Sequence, residues 1–330
     1  MTTIISTSAR RGRDLLGSRY TPVLVTLVLL ILVFAAGAGQ YRGFASGQVI
    51  ANLFVDNAFL IVLAVGMTFV ILTGGIDLSV GSVVALSTMI AASLARAGWP
   101  PVAIILVVLV TTSTLGLLVG LVIHYFEIQP FIATLAAMFL ARGLCYVISL
   151  DSISITEPWF TAMAQTRIPL AQGLSISPSV IVAAVVVVIA FAVLHYSRLG
   201  RTVYAIGGGE HSATLMGLPV PRTKVLVYVI SGFCSGIAGI LFTFYTLSGY
   251  SLTAVGMELD AIAAVVIGGT LLTGGYGFVL GSLLGVLLLG VIQTIISFEG
   301  TLSSWWTKIV VGSLLLVFIV LQRLLTARRR

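Results

Sequence analysis

The sequence has few charged residues. Asp, Glu, Lys and Arg make up 8% of its 330 residues, whereas apolar residues make up 59% and the mean hydropathy is +1.18. About a quarter of the residues of a soluble domain are charged and cover its surface. This composition therefore excludes a soluble domain. Long apolar runs recur from Pro22 nearly to Leu325, too many for a signal peptide or one buried helix. The sequence therefore predicts an all-α, polytopic membrane protein.

Residues that commonly carry chemistry are also scarce. The two cysteines, Cys145 and Cys234, lie inside apolar runs and predict neither a disulfide nor a metal site. The two lysines, Lys224 and Lys308, each follow a threonine, so there is no Gly-Lys-Ser or Gly-Lys-Thr phosphate-binding loop. No HExxH run, serine–histidine grouping or paired acid cluster occurs. We therefore predict that the chain is not an enzyme, binds no cofactor or metal, and takes its energy from another polypeptide or an ion gradient.

The apolar runs are long enough for helices that cross a bilayer, which takes about 20 residues. We predict about ten spans, which are 21–39, 50–73, 77–95, 101–123, 130–149, 178–195, 225–247, 259–273, 276–297 and 307–323. Eight or nine crossings with a re-entrant piece fit the sequence nearly as well. The spans form one transmembrane domain over residues 21–325.

Basic residues collect at three places and indicate the orientation. The N-terminal segment 1–20, the loop 196–224 and the C-terminal end with its basic tail 326–330 hold twelve of the 17 Lys and Arg residues. Cytoplasmic loops carry an excess of Lys and Arg, so we predict that all three regions are cytoplasmic and that 150–178 lies outside. The net charge of +7 does not indicate nucleic-acid binding, because the basic residues flank apolar runs.

One segment occurs twice, which predicts an internal repeat. LTGGIDLSVGS at 72–82 returns as LTGGYGFVLGS at 272–282, with six of eleven positions identical. Both copies join two apolar runs through a Gly-Gly break, Gly74-Gly75 and Gly274-Gly275. Many transporters are built from repeats whose broken helices meet at the translocation site.

The long basic loop contains a short predicted helix. Three glycines precede Glu210, and about two helical turns then run to Gly217. We expect Ala213 and Met216 or Leu215 to form a small apolar face, one turn apart. A cytosolic partner can bind such a helix. An ordinary cytoplasmic linker explains the segment equally well.

Four segments of the sequence carry a family resemblance, namely TGGIDLSVGS at 73–82, QPFIATL at 129–135 with Arg142-Gly143, YAIGGGEHSATLMG at 204–217, and ELDAIAAVVIGG at 258–269. They resemble segments of the permease subunits of bacterial ATP-binding-cassette (ABC) sugar importers of the ribose, xylose and galactose type. The resemblance covers roughly residues 44–321. Within the family, FEGTLSSWWTK at 298–308, NAFLI at 57–61 and GMTFVI at 66–71 resemble the galactofuranose permeases.

The resemblance implies a bacterial inner-membrane protein with cytoplasmic termini that moves a monosaccharide. Its implied partners are membrane lipid, cytoplasmic ATPase subunits that bind ATP with Mg²⁺, a second permease subunit, identical or homologous, and a periplasmic sugar-binding protein. The family's coupling helix, which seats in a groove of the ATPase, corresponds to Glu210, His211, Ser212, Ala213, Thr214, Leu215, Met216 and Gly217.

Several residues are candidates for translocation or gating, namely Asn57, Gly74, Gly75, Asp77, Arg142, Asp260, Gly274 and Gly275. Asp77 either caps the third span, which we prefer, or contacts substrate. Arg142 lies inside the fifth span and needs an acceptor, either exposed carbonyls or an acid among Asp56, Asp77 and Asp260. Asn57 either binds a hydroxyl or joins two helices.

Two further features have a structural and a functional interpretation. Glu258 and Asp260 are either a solvated outer rim, which we prefer, or a gate or docking surface. Small residues four apart, at 116 and 120, 232 and 236, and 281 and 285, predict close helix packing. The alternative function for the whole chain is an ion-coupled secondary transporter for a small polar solute, with Asp77 as its candidate intramembrane acid.

Overall fold

The computed structural model describes residues 21–171, 173–301 and 305–327; the predicted segment 1–20 and the basic residues 328–330 lie outside them. Thirteen helices make up most of this part of the chain. They are α1 Thr21–Gln40, α2 Gly47–Leu72, α3 Val80–Arg96, α4 Pro101–Tyr125, α5 Pro130–Ile148, α6 Pro158–Gln165, α7 Pro178–Tyr196, α8 Arg198–Gly208, α9 Glu210–Leu215, α10 Val220–Thr246, α11 Met257–Ile267, α12 Val279–Glu299 and α13 Trp305–Ala327. The predicted all-α fold is confirmed.

Prolines set the start of several helices. Pro101, Pro130, Pro158 and Pro178 are the first residues of α4, α5, α6 and α7. Proline suits this position because its fixed φ matches the helix and its missing N–H would have no partner within the helix. The chain therefore turns back into a new helix at defined points.

Small residues bring the central helices together. α10 packs along α4, α2 and α3, and α12 packs along α2, α1 and α11. A side chain at Gly116 would collide with the carbonyl of Tyr228, and one at Gly285 would collide with the carbonyl of Ala264. The predicted packing role of the small-residue pairs is confirmed at the α4–α10 and α11–α12 contacts.

In the described part of the chain, seven helices are long and apolar enough to cross a membrane, namely α1, α2, α4, α5, α7, α10 and α12. The predicted span 77–95 becomes α3, with 17 residues, and the span 259–273 becomes α11, with 11. At about 1.5 Å per residue, α11 is roughly half as long as the hydrocarbon is thick. Ten complete crossings are therefore not confirmed.

The short strands lie between helices and form two antiparallel pairs. β1 Ile153–Ser154 pairs with β4 Ser248–Gly249, and β2 Ile168–Ala171 pairs with β3 Leu174–Ile176 in a hairpin. We call the end of the helix bundle that carries these strands the hairpin end. The opposite end carries α8 and α9, and we call it the coupling end.

Candidate coupling and translocation sites

Helices α8 and α9 lie at the coupling end and are joined at Gly209. The N–H of Gly209 closes α8 by donating to the carbonyls of Ala205 and Ile206. Beyond this turn, Ala213 of α9 is fully buried against Ile206 and Val220. The short helix is therefore held by an apolar contact of its own to the neighbouring helices.

The exposed side of α9 differs from the expected apolar face. Leu215 is 75% exposed and Met216 is 67% exposed, whereas Ala213 is buried. A helix turns about 100° per residue, so Leu215 points away from Ala213. Met216 has already left the helix as its C-terminal cap. The expectation that Ala213 shares a face with these residues is wrong.

An ion pair fixes the start of α9. Lys224 Nζ lies 2.8 Å from Glu210 Oε1, and the Glu210 side chain remains half exposed. Lys224 belongs to the first turns of α10, so the pair ties α9 to a long helix of the bundle. His211, Ser212 and Thr214 are exposed beside it.

The two copies of the repeated segment meet at the coupling end. The N–H of Gly275 donates to the carbonyl of Leu72 at 2.9 Å. A methyl group at Gly274 would lie 2.7 Å from the N of Gly74 and 3.0 Å from the Cα of Gly207. We call Leu72, Gly74, Gly207, Gly274 and Gly275 the glycine junction.

Helix α8 enters this junction through Gly207. A side chain there would collide with the Leu72 carbonyl and the Gly275 N–H, so only glycine lets the backbones touch. Gly74 and Gly274, at corresponding positions of the two copies, have φ of 80° and 83°. The junction therefore joins α8, which leads into α9, to both copies through backbone atoms.

A partly buried tyrosine supports the same contact. Tyr204 Oη donates to the carbonyl of Gly277 at 2.8 Å. Burial, with a smaller effect from Tyr276, raises the pKa of Tyr204 to about 12. The phenol therefore keeps its proton at neutral pH and remains a donor.

Asp77 and Gly75 lie beside the junction and contact α10. Asp77 Oδ1 accepts from the N–H and Oγ of Ser79 at 2.9 and 2.6 Å, and Oδ2 accepts from Ser231 Oγ at 2.7 Å. Gly75 faces the Tyr228 hydroxyl. Asp77 is 4% exposed. Ser79 is the residue directly before α3, so Asp77 holds this turn and α10 together and does not cap the helix N–H groups itself.

Arg142 and Asp260 lie apart from the other candidates. Arg142 Nη1 donates to the carbonyls of Ser251 and Thr253 at 2.5 and 2.8 Å, so exposed carbonyls are its acceptors. Asp260 Oδ2 lies 2.7 Å from Lys308 Nζ. Both contacts lie at the hairpin end, away from the glycine junction.

Asn57 is buried between α2 and α12. Its amide donates to the Leu53 carbonyl of its own helix at 2.8 Å and faces Gly290 of α12. In this conformation its hydrogen bond stays within α2, and its contact with α12 is one of packing. Sequence reasoning missed Gly207 and Tyr204, although the three glycines before Glu210 were a signal.

Metal-binding chemistry is not evident in the described part of the chain. Within 21–171, 173–301 and 305–327, no three His, Cys, Asp or Glu side chains are grouped to hold a metal ion. Both cysteines are buried and free.

Comparison with known proteins identifies the family. Residues 49–319 match the family described as "Branched-chain amino acid transport system / permease component". The chain belongs to this family. Three similar proteins cover almost its whole length. The inner membrane ABC transporter permease protein YjfF of Escherichia coli (strain K12) is 47% identical over 309 residues, 93% of each chain.

Two sugar permeases are also similar to this permease. The fructose import permease protein FruG of Bifidobacterium longum (strain NCC 2705) is 44% identical, covering 93% of this chain and 92% of the relative. The ribose import permease protein RbsC of Bacillus subtilis (strain 168) is 38% identical over 92% of each. No solved structure matches the chain. The protein is thus an ABC transporter permease subunit, a multi-pass transport component.

Proposed function

We propose that this permease moves a monosaccharide inward across the bacterial inner membrane, using ATP that separate cytoplasmic subunits hydrolyse. The observation that carries the proposal is the glycine junction. Gly207 of α8 contacts both copies of the repeated segment through Leu72 and Gly275. A force applied to α9 and α8 would therefore pass to the helix bundle through direct backbone contacts.

The exposed surface of α9 supports an ATPase partner. Leu215 and Met216 are large, apolar and mostly exposed, while Ala213 anchors the helix from behind. Methionine is enriched at protein interfaces, and a helix can lay exposed apolar side chains into a groove of its partner. We assign Glu210, His211, Ser212, Thr214, Leu215, Met216 and Gly217 to the docking surface, and Ala213 to its support. ATP with Mg²⁺ would bind on the partner.

The relatives support a sugar as the substrate. Fructose and ribose are the solutes named for FruG and RbsC, and both proteins are more than a third identical to this one. The segments 57–61, 66–71 and 298–308 favour galactofuranose, although 302–304 lie outside the described residues. A second permease, a periplasmic sugar-binding protein and cytoplasmic termini complete the proposed importer.

The experiment compares two exposed leucines. Leu215→Glu should remove co-purification with the ATPase and abolish ATP-driven sugar uptake in proteoliposomes. Leu150→Glu, at a 72% exposed leucine of the hairpin end, should retain ATPase binding. Equal ATPase binding by both variants would contradict the docking surface. Sugar uptake by the purified chain without ATP or partners would instead establish the secondary transporter.

A further inference from the structure

A small cavity lies at the hairpin end between α2, α10 and residues 163–167 and 177–179. Its volume is about 160 Å³. One water molecule needs about 10–15 Å³ of such space, so the cavity has room for a molecule considerably larger than water. None of the translocation candidates derived from the sequence lines it.

Two opposite charges face this cavity without meeting. Asp56 of α2 and Arg167, which follows α6, both line it. They attract each other electrostatically, yet their N and O atoms do not approach within the 4.0 Å of an ion pair. Arg167 Nη1 donates to the carbonyls of Ala164 and Thr166. Both residues are exposed, so the carboxylate and the remaining guanidinium N–H groups are available to a molecule in the cavity.

A buried hydroxyl also lines the cavity. Ser177 is 5% exposed, and its Oγ bonds to none of the residues that the structure describes. A serine directly before a helix ordinarily accepts from the helix N–H groups, but Ser177 makes no such bond with α7. A buried hydroxyl strongly favours a hydrogen-bond partner, and the cavity is where one can bind.

Aromatic side chains on the rest of the wall suit a ring-shaped ligand. Phe59, Phe244 and Tyr245 line it, with the rings of Phe59 and Tyr245 5.9 Å apart. Ser179 and the Tyr245 phenol add hydroxyl groups. Small-molecule sites characteristically combine apolar walls with a few polar groups that fix orientation.

We propose that this cavity binds one sugar ring on the translocation path. The carboxylate accepts hydrogen bonds from hydroxyl groups, the guanidinium donates to them, and the serine hydroxyl does either. The aromatic rings cover the C–H face of the sugar. The substrate class rests on the proposed function; the position of the site follows from the cavity itself.

A zwitterionic amino acid is the competing ligand, because its ammonium and carboxylate would match Asp56 and Arg167. The hydroxyls of Ser177, Ser179 and Tyr245 favour a sugar, since an amino acid with an apolar side chain leaves them unpaired. The experiment therefore tests both ligands.

The test measures protection of an introduced thiol in the assembled importer. Ser179→Cys places it in the cavity wall, and both native cysteines are buried. The probes are D-galactose, D-ribose, D-fructose and L-leucine, added before a membrane-impermeant maleimide. At about ten times the Kd of the bound probe, the labelling rate should fall about tenfold. Leu170→Cys, on the exposed hairpin outside the cavity, is the matched control and should show no protection.

A second variant links protection to the charges. Asp56→Asn in the Ser179→Cys background should weaken protection about tenfold or more, because it removes a charge-assisted hydrogen bond. Protection by a sugar but not by leucine supports the site. Protection by leucine alone, or by none of the four probes, overturns it. ATP-driven sugar uptake by the unmodified importer is measured separately, so failure of the site is distinguished from failure of the proposed function.

Discussion

The N–H of Gly275 donates a hydrogen bond to the carbonyl oxygen of Leu72 at 2.9 Å. This bond joins the two copies of the repeated segment. Gly207 packs against the Leu72 oxygen and the Gly275 nitrogen that form it. Because three backbone segments touch with no side chain between them, movement of α8 displaces both copies together. Backbone contacts therefore connect α8 to both copies at the coupling end of the permease.

Gly207→Ala should impair the permease severely. The added methyl group would collide with the Leu72 carbonyl and the Gly275 N–H, and overpacking of this kind costs about 1–3 kcal/mol. We expect a lower Tm of the purified chain and loss of ATP-driven uptake. The neighbouring variant Gly208→Ala is the control, because a methyl group there has no atom within 4 Å. Equal behaviour of the two variants would refute the junction.

Ala213→Glu should destabilise the α8–α9 unit itself. The new carboxylate would be buried against Ile206 and Val220, at a cost of about 2–4 kcal/mol. Limited proteolysis of the purified permease should then cut the loop faster. Thr214→Glu, one residue further on an exposed position, should leave the cleavage rate unchanged. Similar rates for both variants would show that Ala213 is not an anchor.

Arg142→Met should loosen the loop that follows β4. The guanidinium bonds the carbonyls of Ser251 and Thr253, and charged hydrogen bonds of this kind contribute about 1.5–3 kcal/mol each. Thermal unfolding in detergent should show a clear drop in Tm, with an intermediate drop for Arg142→Lys. Arg96→Met, at an exposed arginine in the last turn of α3, is the control. An unchanged Tm for Arg142→Met would contradict this role.

Asp77→Asn separates the two transport mechanisms. Asparagine has one acceptor oxygen where aspartate has two, so its amide nitrogen faces Ser79 or Ser231 as a donor and the hydrogen bonds must rearrange; we expect destabilisation of about 1–2 kcal/mol. ATP-driven uptake should persist at a reduced rate with unchanged ATP dependence. An ion-coupled carrier would instead lose gradient-driven uptake completely, because its coupling acid would be gone.

Ser231→Ala provides the matching test of the contact. Since Ser231 Oγ bonds Asp77 Oδ2 at 2.7 Å, the combined variant should lose less stability than the two single variants together. Strict additivity of the changes in unfolding free energy would show that the two residues act independently.

The motifs at the break points illustrate how far sequence reasoning extends. The Gly-Gly pairs at 74–75 and 274–275 were predicted to interrupt apolar runs, and each lies in the short segment that precedes a helix, α3 or α12. Their meeting was predicted only by analogy with other transporters. The partner Gly207 was not predicted, because its contact depends on how α8 is folded against the bundle.

Arg142 and Ala213 show where sequence reasoning stops. The arginine was expected to find carbonyls or an acid, and only the packing of α5 beside residues 251–253 decides for the carbonyls. Ala213 was assigned to an exposed apolar face. The side of a six-residue helix that is buried depends on its neighbours, and Ile206 and Val220 cover that side.

The sequence alone determined the class of the protein. Its apolar runs, its clusters of basic residues and its missing phosphate loop are properties of the chain that no folding can change, and they predict a membrane transport subunit without its own ATPase. Tertiary structure alone decided the length of α11, the direction of Ala213, the glycine junction, and the cavity that faces Asp56 and Arg167. These depend on distances between residues far apart in the chain, which helix packing sets.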